Sequence, residues 1–182
     1  MMDYGLPVAI EIKGTNHPIR NKGDYRMVLD VMSALSDEEL DRNDRIRCAL
    51  FIFYEDIAAI KDIKTAAEKM MEFINLGETE SGDDTPPVMN WEQDFKIIVP
   101  PVNSILGFEV RSVEYLHWWT FMGAYMEIGE GTFRTVVSIR KKKRTGKKLE
   151  KWEEEFYREN RKMIDLPMNL SKEERELLEA DW

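Results

Sequence analysis

The sequence predicts a mainly α-helical protein: a helical domain with a small N-terminal β-hairpin and a C-terminal helical extension. Three observations carry this. Apolar residues recur at spacings of three and four through most of the 182 residues, the period of helices that bury one face. Helix-start signals punctuate the chain at Ser36-Asp-Glu-Glu39, at Asn90 with Gln93, and at Ser171-Lys-Glu-Glu174, each a capping side chain three residues ahead of Glu or Gln. Period-two alternation appears at Val8, Ile10 and Ile12, just before the turn composition Gly14-Thr15-Asn16, which together read as a hairpin.

That hairpin runs from Leu6 through Ile19, and a two-stranded ribbon is marginal alone, so it should lie across helices. From Asp24, a helix cap, the residues Tyr25, Val28, Leu29, Met32 and Leu35 form a helical stripe. The box at Ser36 predicts a second helix. Its buried face is Ile46, Ala49, Leu50, Phe53, Tyr54 and Ile57, its solvated face carries Asp41, Arg42, Asp44, Arg45 and Arg47, and Cys48 belongs in or near the packing. A third helix from Thr65 to Leu76 buries Ala67, Met70, Met71 and Ile74 and ends at Gly77.

Residues 78–89 are acidic, small and proline-terminated, the composition of a surface linker. Asn90 then caps a helix whose apolar face begins with Phe95, Ile98 and Val99, and Pro100-Pro101 should stop it, because proline has no amide to donate. The stretch around which the rest is organised runs from Ser112, a capping serine, to Ile128. If it is one helix, Glu114, His117, Thr120, Ala124 and Glu127 share a narrow polar edge while aromatics and methionines cover the remainder. Such a helix must be surrounded by other elements or by a partner, with Trp118 and Trp119 as anchors able to bury roughly 150–250 Å² each.

Gly129 and Gly131 break the chain, Thr132 can cap, and Phe133, Val136, Val137 and Arg140 fit another helix. A basic run follows, Arg140 to Arg144 with Lys147 and Lys148, and then Leu149, Trp152, Phe156 and Met163 stripe a glutamate-rich helix closed by Pro167. A short helix with Leu177 and Leu178 completes the chain. The domain reading is therefore 1–77 as hairpin plus three helices, 78–89 as linker, 90–140 as a central segment packing with the N-terminal helices in one domain, and 141–182 as a charged helical extension.

Composition narrows the function. With 43% hydrophobic residues and 10% aromatics the chain can build a sizeable core, while a net charge of -9 argues against wholesale nucleic-acid binding. A single cysteine allows no intrachain disulfide and fits a reducing compartment. The N-terminus lacks the basic start of a signal peptide, and no run of roughly eighteen apolar residues is present, so neither export nor a membrane span is expected. Eleven methionines supply adaptable apolar contacts suited to partner surfaces.

The working groups of an enzyme are missing. His17 and His117 are the two histidines and have no metal-ligand spacing, there is no glycine-rich phosphate loop or nucleophile elbow, and Cys48 has no histidine nearby in sequence. No catalytic residue, metal or cofactor is assigned. Glu114 and His117, three apart, are the one pair with acid–base character, but a half-buried histidine bonded locally is the commoner outcome. Adjacent tryptophans on an apolar helix serve as core more often than as a stacking platform. The basic run has no interleaved aromatics and reads as a solvated helix end. Trp152, Phe156 and Tyr157 fit either a docking face or a lid on the core. The candidate partner-binding residues are Trp118, Trp119, Met122, Trp152, Phe156 and Tyr157.

Three stretches carry a family likeness: Pro86-Pro-Val-Met-Asn-Trp-Glu-Gln-Asp-Phe-Lys-Ile-Ile98, then Leu116-His-Trp-Trp-Thr-Phe121, then Thr132-Phe-Arg-Thr-Val-Val-Ser-Ile-Arg140. With a Leu6-Pro7-led hairpin and Asp24-Tyr25-Arg26 opening a helix, the chain resembles, over nearly its whole length, the bacteriophage Gp15 family of siphophages and prophages of Gram-positive bacteria. The Leu116 to Phe121 element is the most specific part. Around Val99-Pro-Pro-Val-Asn103 the family likeness implies a continuous helix, where the prolines here imply a stop. The resemblance further implies a non-enzymatic tail assembly chaperone in the host cytoplasm, absent from the finished virion. It would coat the tape measure protein and keep its amphipathic helices soluble, with the tail tube protein, a companion tail assembly chaperone and further copies of the chain as other partners. The rival reading among binding proteins is a structural tail or head–tail connector component retained in the particle.

Overall fold

The computed structural model describes residues 5–78 and 88–166, which form helices with one two-stranded sheet. Strands β1 (Ala9–Ile12) and β2 (Thr15–Pro18) pair antiparallel, Ala9 opposite Pro18 and Ile12 opposite Thr15. Lys13 and Gly14 between them both take positive φ, 50° and 79°, the two-residue turn whose twist suits a hairpin. The expected ribbon is thus present. It is anchored by buried Ile12 and by Lys13, whose ammonium lies 2.6 Å from Asp62 at the start of a helix.

Six of the helices are α1 (Tyr25–Ser36), α2 (Arg42–Phe53), α3 (Ile63–Ile74), α4 (Trp91–Leu106), α5 (Trp118–Met126) and α6 (Thr132–Arg144), followed by the short α7 (Lys151–Glu159) and α8 (Arg161–Ile164). The chain divides into two compact units, Met1–Asp84 with Val102–Glu127 and Thr85–Pro101 with Ile128–Trp182. The division passes through α4, between Pro101 and Val102.

In the first unit α1 packs on α2 and α5, and α2 on α3. Asp24 caps α1 by accepting the amide of Arg26. Tyr25, Val28 and Val31 are buried, as are Leu50, Phe53, Phe73 and Trp118 in the same unit, and the Tyr25 ring stacks on Phe121. The second helix begins later than expected. Ser36 is the last residue of α1, its hydroxyl donating back to the carbonyl of Met32, and α2 is capped by Asp41, which accepts the amides of Asn43 and Asp44. A serine at a helix end can bond either way along the chain, and here the turn behind it wins. Cys48 is exposed on the outer side of α2 rather than packed. Helix α3 ends as expected, through Leu76 and Gly77 in left-handed conformation, with the amide of Gly77 closing on the carbonyl of Glu72 at 2.7 Å.

Three further expectations are corrected. Helix α4 does not stop at Pro100-Pro101 but continues to Leu106, so the family likeness was the better guide there. The prolines leave the carbonyls of Lys96 and Ile97 without their helical donors, and burial of Ile98, Val99 and Val102 on either side holds the segment helical. The proposed helix from Ser112 is shortened to Trp118–Met126, with residues 107–117 non-helical. The glutamate-rich helix is two helices, parted at Asn160, which terminates α7.

In the second unit Val136, Ile139 and Ile164 form the buried centre, with Ile97, Leu149, Phe156, Tyr157 and Met163 around it. Asn90 accepts the amide of Gln93 as a cap should, but Asp94 rather than Gln93 returns the bond to the Asn90 amide. Gln93 instead donates to the carbonyls of Met163 and Asp165. Thr132 is the first residue of α6 and Gly131 occupies the cap position. The linker at 79–87, Pro167 and the Ser171 helix lie outside the described residues.

Candidate functional site

The segment before α5 is shaped by groups roughly ninety positions earlier. Asp24 is 5% exposed, and besides capping α1 it accepts the amide of Leu116 at 2.9 Å, while the amide of Tyr25 donates to the carbonyl of Leu116. Arg26 sends its guanidinium to the carbonyls of Val110, Val113 and Glu114. The Leu116 amide and the carbonyls of Val113 and Glu114 are groups that a helix from Ser112 would have used internally, and their engagement accounts for the late start. Glu109 steadies the same loop. The Arg111 side chain bonds to it and holds its carboxyl at about 2, and Asn103 both donates to Glu109 and accepts the amide of Val110.

His117 is the cap of α5. Its Nδ1 accepts the amide of Trp119 at 3.0 Å, so the proton sits on Nε2 and is donated to the carbonyl of Pro7, also at 3.0 Å. Burial pushes the imidazole below its ordinary value of 6.5, against the opposing pull of the Pro7 carbonyl and Asp24, so it is neutral near pH 7. Glu114 is exposed and makes no pair with it. Both imidazole nitrogens are engaged in holding backbone, and the acid–base reading loses its geometry. Gly23, at φ +77°, lets the N-terminal end of α1 approach this ring: a Cβ there would stand 2.8 Å from Phe73 and 3.1 Å from His117. Among the described residues no group of three or more His, Cys, Asp or Glu is placed to hold a metal ion, and no helix is long and apolar enough to cross a membrane.

The two tryptophans have separate positions but one shared task. Trp118 is fully buried, stacked on Phe121 at 5.8 Å, and its indole N–H donates to the carbonyl of Ile74 at 2.9 Å. Trp119 is half-buried and donates to the carbonyl of Phe73 at 2.9 Å. Together they bond the last carbonyls of α3, those of Ile74 and Phe73, the latter also accepting the amide of Leu76 at 3.2 Å. Trp118 is therefore core and offers no surface, a correction to its place among the partner-binding candidates. Its position follows from direction: Trp118, Phe121 and Ala124 face inward at helical spacing and are buried.

The opposite face of α5 is partly exposed. Trp119 and Met122 are half-buried, Thr120 and Gly123 are exposed, and Met126 is 55% exposed. Gly123 is the feature that sequence reasoning passed over. A glycine inside a helix is less favourable than alanine by about 0.5–1 kcal/mol, and among the described residues no atom lies within 4 Å of where its Cβ would be, so none of them requires it. An exposed glycine between two methionines in an otherwise large-residue helix was the available signal. Met126 was also missed as a surface residue, although it was counted in the apolar stretch.

The remaining candidates lie in the second unit. Trp152 is 54% exposed on α7, its indole N–H held by the carboxylate of Glu150 at 2.9 Å. Phe156 and Tyr157 are half-buried on the cluster around Val136 and Ile139, so they belong mainly to the lid, and Trp152 alone of the three stands clear. Lys143 sits 3.7 Å over the Tyr157 ring. The basic run is less solvated than expected. Arg140 is 6% exposed and directs all five N–H groups to partners: both Asp94 oxygens, at 2.6 and 2.9 Å, and the carbonyls of Ile164, Met163 and Val88. Lys142 pairs with buried Glu153 and Lys143 with Asp165, while Lys141, Lys143, Arg144, Lys147 and Lys148 are all exposed.

The family model for the bacteriophage Gp15 protein matches residues 2–166, spanning both units. The chain belongs to the bacteriophage Gp15 family. Neither a curated protein nor a solved structure matches it. Membership in the Gp15 family makes it a phage structural or assembly-related protein. The three stretches of family likeness correspond to the start of α4 with the Arg140 partner Asp94, to the cap and first turn of α5, and to α6 up to Arg140 itself.

Proposed function

We propose that this Gp15 protein is a non-catalytic tail assembly chaperone. It binds amphipathic helices of the phage tape measure protein and keeps them soluble while tail-tube subunits polymerise along them. The observation that carries this reading is the partly exposed face of α5, where Trp119, Met122 and Met126 surround Gly123 on a helix whose other side buries Trp118, Phe121 and Ala124. A tape measure helix has an apolar stripe of the kind that helix-in-groove recognition uses. Methionines adapt to changing sequence along such a partner, and a net charge of -9 resists aggregation of the loaded complex.

In this reading the protein acts in the host cytoplasm and is left out of the particle, and the tail tube protein and a companion chaperone compete for or hand over the same helices. Co-expression with the tape measure protein of the same phage tests it: a soluble complex is expected, and an insoluble tape measure with none of the chain bound contradicts it. Mass spectrometry of purified particles separates it from a connector or tail component. Peptides of this chain at stoichiometric abundance in the particle would favour the structural role.

A further inference from the structure

The face of α5 also carries information about its ligand. Trp119, Met122, Gly123 and Met126 follow one another at i, i+3, i+4 and i+7, so they form one stripe along the helix. At its middle Gly123 leaves open space, with nothing within 4 Å of a would-be Cβ. A helix crossing there can bring its backbone closer than the usual 8–10 Å interaxial distance, which side chains at the contact set.

The unit that carries the stripe is acidic, and so is the sequence that flanks it. Among its described residues the first unit holds eleven Lys and Arg against seventeen Asp and Glu. No Lys or Arg falls between Arg111 and Glu127, whereas Glu127 caps the end of α5 and Glu78 follows Gly77, whose Cα side meets the Trp119 ring. Both glutamates are exposed. We propose that the outer face of α5 takes the apolar side of a cationic amphipathic helix, crossing at Gly123 with Lys or Arg directed to Glu78 and Glu127. A second copy of the chain is the poorer occupant, because a two-fold contact through this face would bring the same glutamates of two acidic units together. The half-exposed Trp119 ring offers a cation an aromatic neighbour as well.

The inference rests on the helix-binding reading and names the face and the ligand chemistry. Its test uses the full chain with 13C-methyl methionine and a synthetic amphipathic peptide of about 18 residues, five helical turns. The peptide has leucines at helical spacing and lysines at both flanks, and a twin has glutamates in place of the lysines. The lysine peptide is expected to shift the methyl signals of Met122 and Met126, and to bind roughly tenfold or more tightly than its twin. Gly123→Leu should weaken it by a similar factor, and Met126→Lys, at an exposed position, should do the same if the leucine variant does not fold. Unmoved Met122 and Met126 signals, equal binding of the twin, unchanged affinity in these variants, or dimerisation of the free chain through this face would each overturn it. Two results separate the inference from the reading beneath it. A tape measure complex that survives Gly123→Leu and Met126→Lys overturns the α5 face and leaves the chaperone function standing. Peptide binding at Met122 and Met126 without any tape measure complex keeps the face and removes that function.

Discussion

His117 marks the point at which the acidic N-terminal cap of α1, the first turn of α5 and the Pro7 carbonyl meet. A histidine whose folded pKa lies below its unfolded value binds its proton preferentially in the unfolded chain. Stability is therefore complete above pH 6.5 and declines as pH falls below it toward the lower folded value. Urea unfolding between about pH 7 and pH 5 should show this slope in the natural chain, at most about 1.4 kcal/mol per pH unit. His117→Asn keeps a capping acceptor and should flatten it; an unchanged slope would place the titration elsewhere. Arg140 poses the opposite case. Leaving Asp94 buried without it, as in Arg140→Met, should lower stability by about 3–5 kcal/mol, whereas Arg140→Met with Asp94→Leu should restore much of the loss, since a buried pair is costly mainly when broken. Chemical denaturation of the two variants checks the pair. If the single variant loses under about 1 kcal/mol, the bidentate contact is not what holds the second unit.

At the scale of elements, what the sequence showed and what it hid follow one division. Stripes and caps that depend on near neighbours were legible: the hairpin, Asp24 before α1, Gly77 after α3, Asn90 before α4. The start of α5 was not, because its register is set by Asp24 and Arg26, far away in sequence, which claim the amide of Leu116 and the carbonyls of Val110, Val113 and Glu114. Ser36 was misplaced because its hydroxyl had two helices to choose from. The inward tryptophan and the outward methionines were all visible as apolar, but which of them faced water depended on that register. Pro100 is exposed in α4, so Pro100→Ala should raise stability by about 2 kcal/mol, the helix-interior penalty of about 3 less about 1 of chain entropy. A loss on thermal unfolding would mean that the prolines are needed where the two units divide. Gly123→Ala should also stabilise, by up to about 1 kcal/mol, while weakening partner binding, a trade expected where a residue is kept for contact rather than for fold.

For the whole molecule the distribution of charge matters more than its total. The described part of the first unit has a surplus of six acids, while that of the second has thirteen Lys and Arg against nine Asp and Glu. The α5 face lies in the acidic unit, so binding there should weaken with added salt, as contacts between exposed charges do over a Debye length of about 8–10 Å. The central claim is that this partly exposed face is where a phage partner's helix sits. Hydrogen–deuterium exchange of the full chain, alone and in complex with the tape measure protein of its phage, addresses it directly. The expected result is new protection of amides in α5 and of those next to Gly77, with α2 and its exposed Cys48 unchanged. Protection confined to other elements, or none in a complex that demonstrably forms, would contradict it.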